Sequence, residues 1–164
     1  MRLGRIVIVD TDWQTVAEVR DFLEVKLGTA QAGYLLQAKV MQSTLEGTTS
    51  IPKHRIHVKR GTGSFTSGSG GSTAVVVKGQ SGDPAHGLAT IERNNTTQAS
   101  AGSGTLEVID PDVFNESGGV LELTYTPELS APVGPSEAII LSVDNEAPAS
   151  GSYRATLKFL ITHG

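Results

Sequence analysis

The chain of 164 residues contains no cysteine. That excludes a disulfide framework, thiolate zinc sites and thiol catalysis, and leaves the redox compartment open. It also lacks an excess of positive charge. Thirteen Lys and Arg stand against seventeen Asp and Glu, for a net charge of −4, which is the wrong sign for general phosphate-backbone binding. No nucleic-acid partner is therefore expected. Long apolar runs are missing: Ile6–Val9 and Ala74–Val77 are short, against the roughly 20 residues that cross a bilayer and the roughly 7–15 of a signal-peptide core. No membrane partner is expected. Aromatics are only 5% and charged residues 18%, the latter below the roughly 25% of an average soluble domain.

Small and hydroxylated residues are abundant. Gly, Thr and Ser together supply nearly a third of the chain. Gly and Ser make turns, and Thr suits the half-exposed face of a strand. A composition so polar and so weakly charged fits an extracellular or virion-type β protein better than a cytosolic enzyme. The length is that of one domain, able to bury roughly 70% of its unfolded surface without metal or disulfide.

Periodicity supports strands. In Tyr153–Ile161, Tyr153, Ala155, Leu157, Phe159 and Ile161 alternate with Arg154, Thr156, Lys158 and Leu160, a period of two with one apolar face. Val120–Tyr125 presents Leu121, Leu123 and Tyr125 on one side. His54–Arg60 places Ile56 and Val58 opposite Arg55, His57 and Lys59, and Thr105–Ile109 places Leu106 and Val108 opposite Glu107. Weaker patterns mark Tyr34–Met41, Thr73–Lys78, Leu88–Arg93 and Glu137–Val143, the last with apolar residues on both faces. Turn chemistry at Ser81–Pro84, Asn115–Gly119, Pro132–Pro135 and Ala147–Gly151 separates these runs. Regularly spaced strands point to a sandwich, barrel or jelly roll. Trp13–Leu27 fits a helical stripe (Val16, Val19, Leu23, Leu27) and equally a strand face (Val19, Leu23, Val25, Leu27) interrupted by Asp21; periodicity does not decide between them. Asp10-Thr11-Asp12 reads as a turn, or as a helix N-cap if a helix follows.

Candidate chemistry is sparse. Gly61-Thr62-Gly63 follows a strand, but a Ser/Gly segment and Val75–Val77 come after it in place of the helix and lysine of a phosphate loop. His54, His57, His86 and His163 are scattered, and His54 and His57 belong to opposite strand faces. Asp10/Asp12 and Asp110/Asp112 lack the oxygen density of a calcium loop, and Asp110-Pro111-Asp112 reads as a turn. Gly68-Ser69-Gly70 and Gly102-Ser103-Gly104 sit in linker-like stretches, not on a nucleophile elbow. The expectation is no enzyme, no cofactor and no metal.

One resemblance runs through most of the chain. It is carried by His57–Gly61, Thr66–Ser72, Gly82–Ala85, Asn94–Ser100, Asp112–Asn115, Tyr125–Pro127 and Gly151. In their order and spacing these segments resemble a family of small tailed-phage and prophage virion proteins. This chain departs from the family in lacking a Trp near Gly118–Leu123 and carrying its single Trp at position 13. The resemblance implies a capsid decoration (cement) protein that binds the major capsid protein on the outer capsid surface. It further implies a homotrimer, assembled into virions in the host cytoplasm, with a tail or head-fibre component as the rival role. It also implies strand rather than helix at 13–27. The fold expected is all-β, a jelly roll or related β-sandwich, with an N-terminal strand or arm (1–18) and a single β domain (19–164). Arg2, Arg5, Ile6, Val7, Ile8 and Val9 combine charge with an apolar edge strand and are expected at an interface. Phe65, Asn94 and Asn95, in the loops that the resemblance marks, are expected there too.

Overall fold

The computed structural model describes residues 4–16, 19–43, 53–82, 86–115, 119–126, 128–144 and 151–163. Among these residues there are thirteen strands and no helix. The strands are β1 (Arg5–Asp10), β2 (Gln14–Val16), β3 (Arg20–Leu27), β4 (Gln31–Gln42), β5 (Lys53–Thr62), β6 (Ser72–Thr73) and β7 (Val75–Lys78). They continue with β8 (Leu88–Asn95), β9 (Thr105–Asn115), β10 (Leu121–Thr124), β11 (Ala131–Val133), β12 (Ala138–Val143) and β13 (Gly151–His163). Two antiparallel sheets result. A seven-stranded sheet has the order β10-β4-β13-β1-β7, with β11 also on β4 and β2 also on β13. A six-stranded sheet has the order β6-β8-β3-β12-β5-β9. The fold is an all-β sandwich.

The alternation of β13 explains the seven-stranded sheet. Tyr153, Ala155, Leu157, Phe159 and Ile161 all face the core, joined by Val7, Val9, Leu35, Ala38 and Val40 from the strands on either side. The six-stranded sheet answers with Leu23, Val25, Leu27, Ile56, Val58, Ile139, Leu141 and Val143. His54 is buried in this core, edge-on to the Tyr153 ring at 6.1 Å. His57, three residues on, faces the opposite side of β5, as strand geometry requires.

Several expectations are corrected by local irregularities. Thr73–Lys78 is not one strand. The chain changes sheets at buried Ala74, leaving β6 on β8 and β7 on β1. Asp110-Pro111-Asp112 is not a turn but lies within β9, which among the described residues pairs only with β5. Proline is tolerated on such an edge strand. A register shift between Val58 and Lys59 skips Ile109 in the pairing of β5 with β9. Ile109 therefore packs on the core while Val108 is exposed, the reverse of simple alternation.

The N-terminal strand is not a free arm. β1 pairs with β13 on one edge and β7 on the other, so it has no open edge to add to another chain. Val7 and Val9 lie in the core, and Arg5 is buried with its guanidinium donating to Gln31 Oε1 at 3.1 Å. Only Ile6 and Ile8 of this group face outward; Arg2 lies outside the described residues. After β1, Asp10 accepts from the Asp12 backbone N–H at 2.7 Å, and Thr11 Oγ1 accepts from the Ala155 N–H at 2.9 Å. This is the turn reading of Asp10-Thr11-Asp12, and β2 then resumes pairing along β13.

The contrast along β13 is testable. Phe159→Ala removes a fully buried ring and is expected to lower stability by about 3–5 kcal/mol in denaturant unfolding. Lys158→Ala, on the outer face, is expected to change it by no more than about 0.5 kcal/mol. Equal small losses at both positions would show the register to be wrong.

Candidate functional site

The outer face of the six-stranded sheet holds the densest polar chemistry, and its origin is a bulge. Along β12, Leu141 pairs with Leu23 but Ser142 pairs with Asp21. Phe22 is thus an extra residue in β3. It packs in the core beside Leu23, its ring 5.9 Å from that of Tyr153. Asp21 is thereby turned to the same outer face as Glu24, which explains the interruption of the apolar pattern at Asp21. Opposite the bulge, between the β8 residues that pair with Leu23 and Asp21, stands Asn94 with φ of +60°. Asn tolerates that left-handed conformation better than most residues, and its side chain accepts from Arg20 at 2.7 Å.

Two Ser/Gly-rich loops, residues 63–71 and 96–104, roof this face. They bridge each other at Thr66–Ser100 and Ser69–Thr97 through four backbone hydrogen bonds of 2.9–3.0 Å. The sheet holds them by two carboxyl groups. Glu24 Oε2 accepts from the Gly68 N–H at 2.9 Å, and Asp21 Oδ2 accepts from the Ala99 N–H at 2.7 Å. Gly71 must be glycine, because a Cβ there would collide with the Arg93 carbonyl. Phe65 lies over Gly61, in the space a side chain would occupy, and packs with Ala99, Ala138, Ile140 and Leu106 in a second small core. Lys26 Nζ stands 5.0 Å from the Phe65 ring centre.

Beside this roof, Asp144 collects four donors. Lys59 Nζ lies at 2.7 Å, His57 Nδ1 at 2.5 Å, Ser142 Oγ at 2.9 Å and Gln98 Nε2 at 3.0 Å. Burial works to raise the Asp144 carboxyl, but the hydrogen bonds from Lys59, Ser142 and Gln98 outweigh it and hold it below the usual carboxylate value. The arrangement brings together a serine, a histidine and an aspartate, but not in relay order. The hydroxyl and the imidazole both address the same carboxylate, whereas a hydrolytic triad passes from hydroxyl through imidazole to carboxylate. The chemistry is that of a clamp between β5, β12 and the 96–104 loop.

Two of the three interface residues expected here, Phe65 and Asn95, are internal. Phe65 is 7% exposed and Asn95 is fully buried, donating to Glu92 at 3.2 Å; Asn94 serves the bulge. Phe65 and Asn95 are corrected from surface to scaffold, because their side chains turn inward, whereas Asn94 is half-buried. His86 Nδ1 accepts from the Leu88 N–H at 3.1 Å, away from the other histidines. Asp110 accepts from the Tyr125 hydroxyl at 2.9 Å. Among the described residues no group of three His, Cys, Asp or Glu is placed to hold a metal ion.

The seven-stranded sheet is different: among the described residues nothing covers its outer face, which is partly apolar. Ile6 pairs with Leu160, Leu160 with Tyr34 and Tyr34 with Pro132. One apolar row thus crosses four strands, about 15 Å at ~4.8 Å per strand. Tyr34 is 41% and Ile6 37% exposed, and Val77, paired with Ile8 next to the row, is 49% exposed. Tyr34, Leu36, Leu160 and Ser130 surround an open depression of about 290 Å³. Comparisons with protein-family models, with curated proteins and with solved structures each gave no match.

Asp144→Ala strands Lys59 and His57 and is expected to lower stability by about 1–3 kcal/mol at neutral pH. The folded carboxyl titrates below the ordinary aspartate value of about 3.9. The stabilisation it gives is therefore present above that pH and lost as pH falls through the folded value. Denaturation curves of wild type and variant should converge in acid and separate toward neutrality; a constant gap would contradict the clamp.

Proposed function

We propose that this protein is a virion structural protein of the capsid decoration type, binding the major capsid protein on the outer capsid surface and stapling neighbouring capsomers without catalysis. The observation that carries the reading is the apolar row Ile6–Leu160–Tyr34–Pro132 on the uncovered sheet. Contiguous apolar surface of this kind marks interaction sites more often than single exposed residues do. The resemblance to small tailed-phage virion proteins supports the same assignment, as does the low charge suited to a crowded shell. Contact would run through the face of the sheet, with Ile6 and Ile8 of β1 contributing side chains in place of strand addition. A homotrimer would multiply weak contacts into avidity on a repeating lattice. The rival role, a tail or head-fibre component, is favoured by one feature: Trp13, 42% exposed in the turn after β1, is an aromatic of the kind that anchors receptor contacts.

Tyr34→Asp combined with Leu160→Asp is expected to leave a folded protein that no longer binds capsids. Wild-type protein is expected to raise the temperature at which bare capsids break, since a ligand of the intact lattice stabilises it by mass action. Electron cryo-microscopy of purified virions separates the roles by position: density over capsomers supports decoration, density on the tail or a fibre supports the rival, and absence from virions refutes both.

A further inference from the structure

The roof on the six-stranded sheet depends on groups that change charge. We propose that Asp21 and Glu24 form an acid-operated clasp, which holds the paired loops 63–71 and 96–104 shut over the apolar floor when the carboxyls are protonated and loosens them as they ionise.

The geometry sets this up independently of any assembly role. Asp21 is 1% and Glu24 0% exposed, and each accepts a backbone N–H from a different loop. The two loops are joined to each other, so both carboxyls act on one ribbon. Glu24 Oε1 and Asn95 Oδ1 are both buried acceptors without a donor among the described residues. A proton on Glu24 would turn one of these two surplus acceptors into a donor.

The surroundings oppose ionisation. Around Asp21 stand Glu24 on its own strand, Lys59 on β5 and Asp144 beyond β12, with Gln98 3.5 Å away. Asp144 is itself bound by His57 and Lys59. Around Glu24 stand Glu92 on β8, Lys26 on β3 and the loop donors Ser67 and Gly68. Burial is the largest influence on both groups. It pushes Asp21 up to about 7, with Glu24 and Asp144 adding and Ala99 and Lys59 opposing. It also raises Glu24, with Glu92 adding and Ser67, Gly68 and Lys26 opposing.

The sign follows. A solvated aspartate, as Asp21 would be with the loops lifted, titrates near the ordinary value of about 3.9; in the closed state Asp21 titrates higher. Protonation therefore favours closure. That preference is complete below the solvated value and is lost as pH rises through the closed value. What loosening uncovers is Phe65, Ala99, Ala138 and Ile140.

Amide hydrogen exchange read by NMR tests the clasp. After correction for intrinsic exchange chemistry, protection of the Gly68 and Ala99 amides is expected to fall by roughly ten- to a thousandfold between pH 5 and 8. Core amides such as those of Leu157 and Phe159 should keep theirs, which separates loop opening from global unfolding. Asp21→Asn keeps an acceptor without the charge and is expected to flatten the Ala99 profile. Glu24→Gln should shift the Asp21 midpoint downward by removing a like charge. Should the Asn variant fail to fold, carboxyl carbon titration of wild type still decides. An Asp21 midpoint well above the ordinary carboxylate range supports the clasp. An ordinary midpoint, or loop protection that stays flat across this pH range in wild type, overturns it.

Discussion

Phe22 occupies a place in β3 that β12 does not match, and this one unmatched residue decides which side of the sheet Asp21 occupies. Without the bulge Asp21 would share a face with Leu23 and Val25, placing a carboxylate in a hydrocarbon core at prohibitive cost. With it, an aromatic ring is added to the core and an acceptor is delivered to the outer face. The consequence spreads outward. Asn94 takes a left-handed conformation opposite the bulge, Ala99 is fixed to Asp21, and the 96–104 loop carries the 63–71 loop with it. The six-stranded sheet thereby becomes covered on both sides. This is why β12 is buried along its whole length and reads as an almost continuous apolar run.

The two sheets are finished in different ways. One covers its second face with its own loops. The other builds its centre from the first and last strands, β1 and β13, and its second face is not covered by any of the described residues. The polar side chains there, such as Arg154 bound to Asp10 and Lys39 facing Glu122 at 3.7 Å, lie to one side of the apolar row. An interface on the roofed side would meet mostly Ser, Gly and Thr backbone. On the bare side it would meet Tyr34, Leu160, Ile6 and Val77, which have apolar area to lose from water. Any assembly built on burial is therefore directed to the seven-stranded sheet.

The sandwich was legible in the sequence because alternation is a direct imprint of the strand. Every core residue of β13, and the two-sided burial of β12, could be read from spacing alone. What could not be read were the places where one residue more or less resets the alternation: Phe22 in β3, Ile109 in β9, Leu36 in β4. A bulge leaves little trace in composition, so faces were lost beyond it even where strands were found. The candidate site was hidden for the same reason. Asp21 was visible only as a flaw in a pattern, and nothing in the spacing singled out Asp144. The Ser/Gly stretch looked like linker because its order comes from partners distant in sequence: Gly68 is held by Glu24 and Thr66 by Ser100. The N-terminal strand looked like an edge because its second neighbour, β7, lies nearly seventy residues away.

The unusual composition now has a physical account. A roof made of Ser and Gly has few apolar side chains with which to adhere, but it exposes backbone N–H groups that must be satisfied once covered. A sheet floor of apolar residues alone would leave those donors orphaned, each costing about 1–3 kcal/mol. Carboxyl groups on the floor supply acceptors: Glu24 to the Gly68 N–H and Asp21 to the Ala99 N–H, with Glu92 accepting from the Asn95 side chain and Asp144 from that of Gln98. Lys59, Lys26 and His57 face them but do not cancel the burial that raises Asp21 and Glu24. The glycines permit close approach and the acids make it cohesive, so neither composition would be stable there without the other. Replacing the acids by hydrocarbon would need a different roof, with side chains to bury. That is why the Ser/Gly loops and the buried carboxyls form one device, and why the tightness of the roof is tied to pH.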